Sequence, residues 1–460
     1  MQQYCRQGRH DDETAPLYYN VGFNMPPPAA KTAKTAARAK LANAETLGIA
    51  VIGAGTVGGG VLTLLKSNSA KLHNRCGKKI KVAAIAVRRL AAAKKRLPKQ
   101  YASMLTTDWK QAVDNPQVDI VVELMGGTGE AAKCIRHCLA IGKPVVTANK
   151  AALAESDILD GDAAVFYEAA VAGAVPVVKT LRESLAGDDI SEVFGIINGT
   201  CNYILSLMHD ESLPFADALR RAGENGYAEA DPSLDIDGTD AAHKLALISR
   251  LAFGARPRMT DIDITGVRGM DIADIRYARQ LGFAVKLLAH AAMRGGELSL
   301  SVRPALIPQS HLLAAVGGAM NAVIIRSANA GETMLYGAGA GAYPTAVAVV
   351  ADIIDIARGS PPPPKQPAQK PKMKTQNDLP RYVRLCAKDK PGALADITAL
   401  LAKNGISIDA IHQTTGGAAV ADIAFLTHRA KDDALAKCIA DIKKLRAVVG
   451  KVITMPVVAQ

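Results

Sequence analysis

The sequence predicts an α/β chain of three folding units, and three observations predict it. A glycine-rich turn, GAGTVGGG at 53–60, separates an apolar strand from a helix. Further on, GSPPPPKQPAQKPKMKTQND at 359–378 has no means of building a core and reads as a linker. Beyond it, RYVRLCA, GALADITALLAKNG, ISIDAIHQT, AVADIAFLTH, ALAKCIADIKKL and GKVITMPVV give the order strand, helix, strand, strand, helix, strand, which is the ferredoxin-like βαββαβ plan. At 460 residues the chain is also too long for one ordinary core.

Taken in order, residues 1–46 lack a hydrophobic signal core and end in an Ala/Lys run, so a disordered N-terminal extension is expected there. Over 47–150 the short apolar strands LGIAVIGAG, KVAAIAV, VDIVVELM and KPVVTA alternate with helical stretches, as in a doubly wound parallel sheet. Residues 151–336 read as an α+β unit, with strands at EVFGIING, LSLSVRPALI, AVIIRS and ETMLYG and a helix around Ala241 to Phe253. A glycine turn followed by a strongly amphipathic helix occupies 337–358. The ferredoxin-like unit takes 379–457.

Composition excludes several classes. Hydrophobic residues make up 49% and charged residues 21%, which is globular. No apolar run approaches the roughly 20 residues needed to span a bilayer, so a soluble protein with no membrane partner is expected. The net charge of +12 would suit nucleic acid if gathered on one face. Much of it lies instead in tails, at Lys31, Lys34 and Lys40 and at Lys365, Lys370, Lys372 and Lys374. With aromatics at 4% and no nucleic-acid module, solvated tails are the better reading. Seven scattered cysteines form no disulfide framework and point to a reducing, cytoplasmic setting. Cys134, His137 and Cys138 share an expected helix, but too few ligands accompany them for a metal, and core cysteines are favoured.

The turn at 53–60 carries the first chemistry. Gly53, Gly55 and Gly58 fit G-x-G-x-x-G: the first permits the tight turn, the second lets backbone approach a pyrophosphate, and the third lets helix and strand pack closely. Thr56 and Val57 open the helix, whose free N–H groups and dipole suit phosphate. Strand, helix and the βα units that follow agree, so a Rossmann dinucleotide-binding domain is expected rather than a plain glycine turn. At the end of its second strand, where an NAD site usually carries an acid, this chain reads AVRRL. Arg88, with Arg89 beside it and Lys94, Lys95 and Arg96 following, would stabilise a 2′-phosphate. NADP(H) is therefore expected over NAD(H), although Arg89 also reads as a solvated surface arginine.

The segment GYAEADPSLDIDGTDAAHK at 226–244 is dense in carboxylates. A calcium loop is the obvious rival, with Asp235, Asp237 and Gly238 at its third, fifth and sixth positions, but its first position would be Ser233 and its twelfth Lys244. A cation in the place of the bidentate glutamate repels calcium. Asp240 and Lys244 stand four apart and share a helix face. Taken alone, they fit a surface ion pair worth about 0.3–0.5 kcal/mol as well as a catalytic pair.

A resemblance adds to this reading. The segment at 226–244 resembles the substrate signature of homoserine dehydrogenases. So do GAGTVGGG, VVELMGG at 121–127, TANKAALA at 147–154, YEAAVAGAVPVV at 167–178, GIINGTCNYIL at 195–205 and GAGAGAYPTA at 337–346, in that order along the chain. The resemblance implies hydride transfer between a nicotinamide dinucleotide and the aspartate-semialdehyde/homoserine pair. It makes Lys244 the proton donor and acceptor, Asp240 its supporting carboxylate, and Lys150 the lysine beside both nicotinamide and substrate. Glu229 would bind the substrate ammonium, with Thr200, Tyr227 and Asp235 lining the pocket and Gly341 lying against the cofactor. Backbone carbonyls of Glu168, Val171, Gly173 and Val175 would hold a monovalent cation, Na+ or K+. It also implies that 151–336 is a catalytic and dimerisation domain and that the helix at 337–358 returns to the first domain. No aspartokinase-like segment precedes the Rossmann motif, so a monofunctional enzyme is expected. Cys201 stands in NGTCN where threonine is more usual, and it is expected to be buried beside the substrate and to react there with thiol reagents.

The final unit, from CAKDKPGALADITALLAKNGISIDAIHQ onward, resembles an ACT domain. Its turn sets Asp389 and Gly392 at the head of a helix, where N–H groups can receive a carboxylate. The resemblance implies feedback binding of L-threonine and side-by-side pairing, hence a homo-oligomer, a dimer or tetramer. The alternative of another class is a non-catalytic amino-acid sensor on a Rossmann body. It predicts losses at the catalytic positions, yet Lys150, Glu229, Asp240 and Lys244 are all present.

Overall fold

The computed structural model describes residues 40–160, 164–362, 371–374, 379–416 and 419–458. Most of the N-terminal extension and of the linker lies outside these residues. Where the extension meets the first domain it is folded: residues 40–43 are helical, Lys40 pairs with Asp119 at 2.7 Å, and Lys78 donates to the Ala42 carbonyl. Lys40 is thus an ion-paired residue rather than part of a solvated tail.

The first domain runs β1 (Thr46–Ile52), α1 (Thr56–Ser67), β2 (Lys79–Ala86), β3 (Leu105–Thr106), β4 (Ile120–Glu123), α2 (Gly129–Ala140), β5 (Val145–Thr147), α3 (Lys150–Ala154) and β6 (Val165–Phe166). Its strands are parallel in the order β3-β2-β1-β4-β5-β6. The order reverses between β1 and β4, which opens a crevice at their carboxyl ends. Both faces of such a sheet are covered, and Ile49 and Val51 on one face and Ala50 on the other are accordingly without exposure. Cys134 and Cys138 of α2 are buried in the core, as expected.

The second domain contains β7 (Ile190–Ile196), α4 (Gly199–Glu211), α5 (Thr239–Phe253), α6 (Ile272–Gln280), β8 (Phe283–Arg294), β9 (Glu297–Pro308), β10 (Met320–Ser327) and β11 (Gly331–Ala338), followed by α7 (Ala342–Arg358). Its antiparallel sheet is ordered β11-β10-β7-β8-β9. The long strand β8 escapes the sequence reading, because FAVKLLAHAAMR is alanine-rich and has no alternation: nine consecutive positions of it are buried. Helix α7 packs on α1 in the apolar core of the first domain, so chain from beyond the second domain completes the first. Part of the linker is also ordered. Lys372–Met373 forms a short parallel strand on the edge of β9, and Lys374 pairs with Glu297 at 2.7 Å.

The last domain holds β12 (Arg381–Lys388), α8 (Ala393–Lys403), β13 (Ile408–Gly416), β14 (Val420–Thr427), α9 (Asp432–Ile442) and β15 (Val448–Pro456). The sheet order β13-β14-β12-β15 is that of a ferredoxin-like fold, one face covered by its own helices. The other face meets the second domain. Tyr382, Ala424, Leu426 and Met455 join the core that contains α6 and β8, while Arg384 pairs with the buried Asp274 at 2.6 Å and with Asp271 at 2.9 Å.

Candidate active site

The crevice at the carboxyl end of β1 is built by close backbone contact. Gly53 has φ +95°, and a Cβ there would lie 2.6 Å from the Leu124 carbonyl oxygen; at Gly58 it would lie 2.1 Å from the Gly53 carbonyl. Only glycine permits the turn and the entry of α1 beneath it. Gly55, by contrast, faces open space and caps α1, leaving the N–H groups of Thr56 and Val57 at an uncovered helix start. The cleft beyond has a volume of about 600 Å³, a size that suits a nucleotide. Arg88, Arg89, Arg96, Trp109 and Glu130 are among the residues that line it. Glu130 is bound to Lys133 and accepts from the Trp109 indole N–H, so its charge is already paired.

A second constellation lies where α3, α4 and α5 converge. Asp240, one residue into α5, points its carboxylate between two lysines: Oδ1 is 2.9 Å from Lys150 Nζ and Oδ2 is 2.7 Å from Lys244 Nζ. Lys244 also donates to the Ile197 carbonyl at 2.7 Å. Burial would push the Asp240 carboxyl up, but Lys244 and Lys150 outweigh it and hold it below the usual carboxylate range. Asp240 in turn holds Lys150 above the ordinary lysine value, helped by Asp235 and Glu229. Lys150 keeps a third of its side chain exposed whereas Lys244 is almost wholly enclosed. The Asp240 carboxylate thus stands between the two lysines.

Asn198 organises this group, and the sequence reading misses it. Its Nδ2 donates to Asp235 Oδ1 at 2.7 Å and to Asp240 Oδ2 at 2.9 Å, while its Oδ1 caps α4 by accepting from Cys201 N–H. An asparagine ahead of an apolar helical run is a start signal, and that signal could have found it. Thr200 donates to Asp235 and to the Tyr227 carbonyl. Tyr227 itself is exposed, its ring 4.3 Å from that of Tyr203. Glu229 is exposed at the same mouth, close enough for its charge to act on Lys150. Asp237 is occupied by Arg268 at 2.6 Å.

The comparisons with known proteins bear on this arrangement. The family described as homoserine dehydrogenase matches residues 176–354, its NAD binding domain matches 53–170, and the ACT domain matches 381–447. The homoserine dehydrogenase of Neisseria gonorrhoeae is 42% identical over 438 residues, covering 89% of this chain and 98% of its own length. The chain belongs to the homoserine dehydrogenase family. It is therefore an oxidoreductase of amino-acid biosynthesis. The crystal structure of a homoserine dehydrogenase from Thiobacillus denitrificans is 41% identical and superposes with a TM-score of 0.83 over 90% of this chain and 98% of that one. A hyperthermophilic archaeal homoserine dehydrogenase mutant in complex with NADPH, 26% identical, matches with a TM-score of 0.57 over 68% of this chain and 97% of that one.

Within a homoserine dehydrogenase framework the remaining residues fall as follows. Gly341 is the N-cap of α7, with φ +121°. The loop 168–175 packs against that region, Ala174 N–H donating to the Ala338 carbonyl. In it Ala172 and Gly173 are both left-handed, and the Glu168 and Val175 carbonyls accept from Val171 and Val177. The Glu168 side chain accepts from the N–H groups of Val178 and Lys179, and burial pushes its carboxyl up to about 7. Asp389 lies on an exposed turn, and Gly392 caps α8 with φ +89°. The expected reactivity of Cys201 is corrected: the side chain is fully buried, its Sγ donates to the Asp235 carbonyl, and burial raises the thiol well above its usual range. Such a thiol is neither accessible nor ionised. Among the described residues, no helix is long and apolar enough to cross a membrane.

Proposed function

We propose that the enzyme catalyses the reversible reduction of L-aspartate 4-semialdehyde to L-homoserine, on the route to threonine, methionine and isoleucine, with NADPH preferred over NADH. The observation that carries this reading is the Lys150–Asp240–Lys244 group beside the dinucleotide crevice. The bound cofactor supplies hydride to the aldehyde carbon. As hydride arrives, negative charge grows on the carbonyl oxygen, and Lys244 Nζ donates the proton that neutralises it. Asp240 orients both ammonium groups and, held ionised, does not compete as the acid. Lys150, a third exposed, binds the oxygen and places the substrate against the nicotinamide. Glu229 takes the substrate ammonium, while Asp235, Thr200 and Tyr227 shape the pocket.

The residues suit NADP(H): Gly53, Gly55, Thr56, Val57 and Gly58 would cradle the pyrophosphate, Arg88 the 2′-phosphate, and Gly341 the nicotinamide side. The absence of a carboxylate at Arg88–Arg89 supports this choice over NAD(H), as does the likeness to a homoserine dehydrogenase in complex with NADPH. A Na+ or K+ ion on the carbonyls of Glu168, Val171, Gly173 and Val175 would rigidify the loop. The curl at Ala172 and Gly173, with φ +52° and +58°, supports it. L-threonine is the effector proposed for the ACT domain, entering at Asp389 and Gly392, with paired ACT domains making the enzyme a homo-oligomer. Initial rates of NADPH and NADH oxidation with L-aspartate 4-semialdehyde, with and without L-threonine, test these points together. A rate that favours NADPH and falls with threonine supports them, and no turnover with either cofactor ends the proposal.

A further inference from the structure

Glu123, the last residue of β4, is fully buried and forms no salt bridge among the described residues. Such a carboxylate is costly and calls for an account. Its Oε1 accepts from Met125 N–H at 2.7 Å and its Oε2 from the Thr147 hydroxyl at 2.6 Å, Thr147 being its register partner at the end of β5. The Thr147 oxygen accepts in turn from Asn149 N–H at 2.9 Å, and Asn149 Nδ2 returns to the Met125 carbonyl at 3.1 Å. The four residues close a ring. Asn149 also caps α3, its Oδ1 accepting from Ala152 N–H at 3.0 Å, and the first residue of α3 is Lys150. A five-residue helix has little stability of its own, so its first turn lies where its cap is fixed.

We propose that Glu123 is a positioning residue for the reaction: as a carboxylate it closes a hydrogen-bonded ring that fixes the cap of α3 and thereby aims Lys150 into the crevice. The ring depends on charge state. Ionised Glu123 accepts from both Met125 and Thr147, leaving the Thr147 oxygen free to accept from Asn149. A proton on Oε1 would face the Met125 N–H and break that bond, and a proton on Oε2 would reverse the Thr147 bond, so that the Thr147 oxygen accepts from both Glu123 and Asn149; either costs the ring its charge-assisted bonds. Burial pushes this carboxyl up to about 7, against the hydrogen bonds from Thr147, Met125 and Asn149. The neighbours do not offset this: β1 presents apolar chains, α2 presents the neutral buried thiol of Cys134, and Lys150 is engaged by Asp240, Asp235 and Glu229. Turnover should therefore weaken as pH falls through about 7.

This inference rests on the reading of Lys150 as part of the reaction centre, and the test separates the two. Full-length Glu123→Gln, Thr147→Val, Thr147→Ser and Lys150→Ala are compared with wild type for kcat, KM for L-homoserine, NADPH affinity and Tm at pH 8, with kcat followed from pH 5.5 to 9.5. Glu123→Gln should lose kcat by roughly 10- to 100-fold while KM and NADPH affinity move less than about threefold. It should also lack the acid limb expected of wild type. Thr147→Val should copy the loss and Thr147→Ser restore it. Because a buried carboxylate is penalised above its folded-state pKa, Glu123→Gln should have a Tm at pH 8 no lower than wild type, which a merely structural role would not give. Wild-type kcat and an unchanged acid limb in Glu123→Gln, with Lys150→Ala inactive, would overturn the ring while leaving the site intact. A fall in NADPH affinity as large as the fall in kcat would also overturn it. Full activity in Lys150→Ala would remove the reading beneath it.

Discussion

One carboxylate of Asp240 holds two lysines: Oδ1 lies 2.9 Å from Lys150 Nζ and Oδ2 lies 2.7 Å from Lys244 Nζ. Asp240 and Lys244 are nearly buried and Lys150 is a third exposed, so removing the middle charge leaves two cations facing each other. Asp240→Asn keeps the shape and should lower kcat/KM by about 10²- to 10⁴-fold. Since Asp240 is what chiefly holds Lys150 above the ordinary lysine range, the alkaline limb of the profile should also move to lower pH. A variant with normal kcat/KM and an unmoved limb would mean that the pairing is structural.

The arginines at the rim of the cleft predict cofactor discrimination. Each charge-assisted contact to a 2′-phosphate is worth about 1.5–3 kcal/mol. The Arg88→Ala, Arg89→Ala double variant should raise KM for NADPH at least about tenfold and leave NADH within about twofold. Steady-state kinetics with both cofactors checks this, and an equal loss for both would place the arginines elsewhere.

Lys286 gives a prediction about stability. It is 5% exposed, its Nζ donates to the Val316 carbonyl at 2.6 Å and to Asn202 Oδ1 at 3.2 Å, and burial lowers its pKa from 10.5 to about 8. The folded state therefore binds its proton less tightly than the unfolded chain. The penalty is complete below pH 8 and is relieved as pH rises from about 8 toward 10.5. Lys286→Met should lose that pH dependence, worth about 3 kcal/mol over the window, in urea titrations at pH 7 and pH 10.

The ACT domain is tied down by charge as well as by apolar packing. Arg384 reaches across to Asp274, which is 2% exposed and also accepts from the Tyr382 hydroxyl at 3.1 Å. Arg384→Ala leaves that carboxylate unpaired, at a cost of about 3–5 kcal/mol. We expect an earlier denaturation transition for the ACT domain and a loss of any threonine response with basal turnover retained. A full threonine response in this variant would show that the signal does not pass through this contact.

The parts legible in the sequence were those that depend on local chemistry. Gly53 and Gly58 announce their turn because no other residue fits it, and the ferredoxin-like order of the last domain shows in its alternating strands and apolar helices. The Asp240–Lys244 pair is a matter of helix spacing. What escaped depends on distant chain. Strand β8 is a strand because β7 and β9 flank it, not through its alanine-rich sequence. Glu123, Thr147 and Asn149 form a ring only once β4 and β5 are paired. Likewise His243, beside Lys244 on α5, bonds Glu155 at the far end of α3 at 2.6 Å, and nothing in either segment foretells the other. The docking of Arg384 on Asp274 joins residues 110 apart.

The measurement that bears most directly on the central claim is the rate of NADPH oxidation with L-aspartate 4-semialdehyde by wild type and by Lys244→Met, at matched NADPH saturation. Turnover by wild type, with a loss of about 10²- to 10⁴-fold in kcat for a variant that still folds and binds NADPH, is the predicted result. Equal kcat in the two proteins would contradict the assignment of Lys244 as the group that moves the proton.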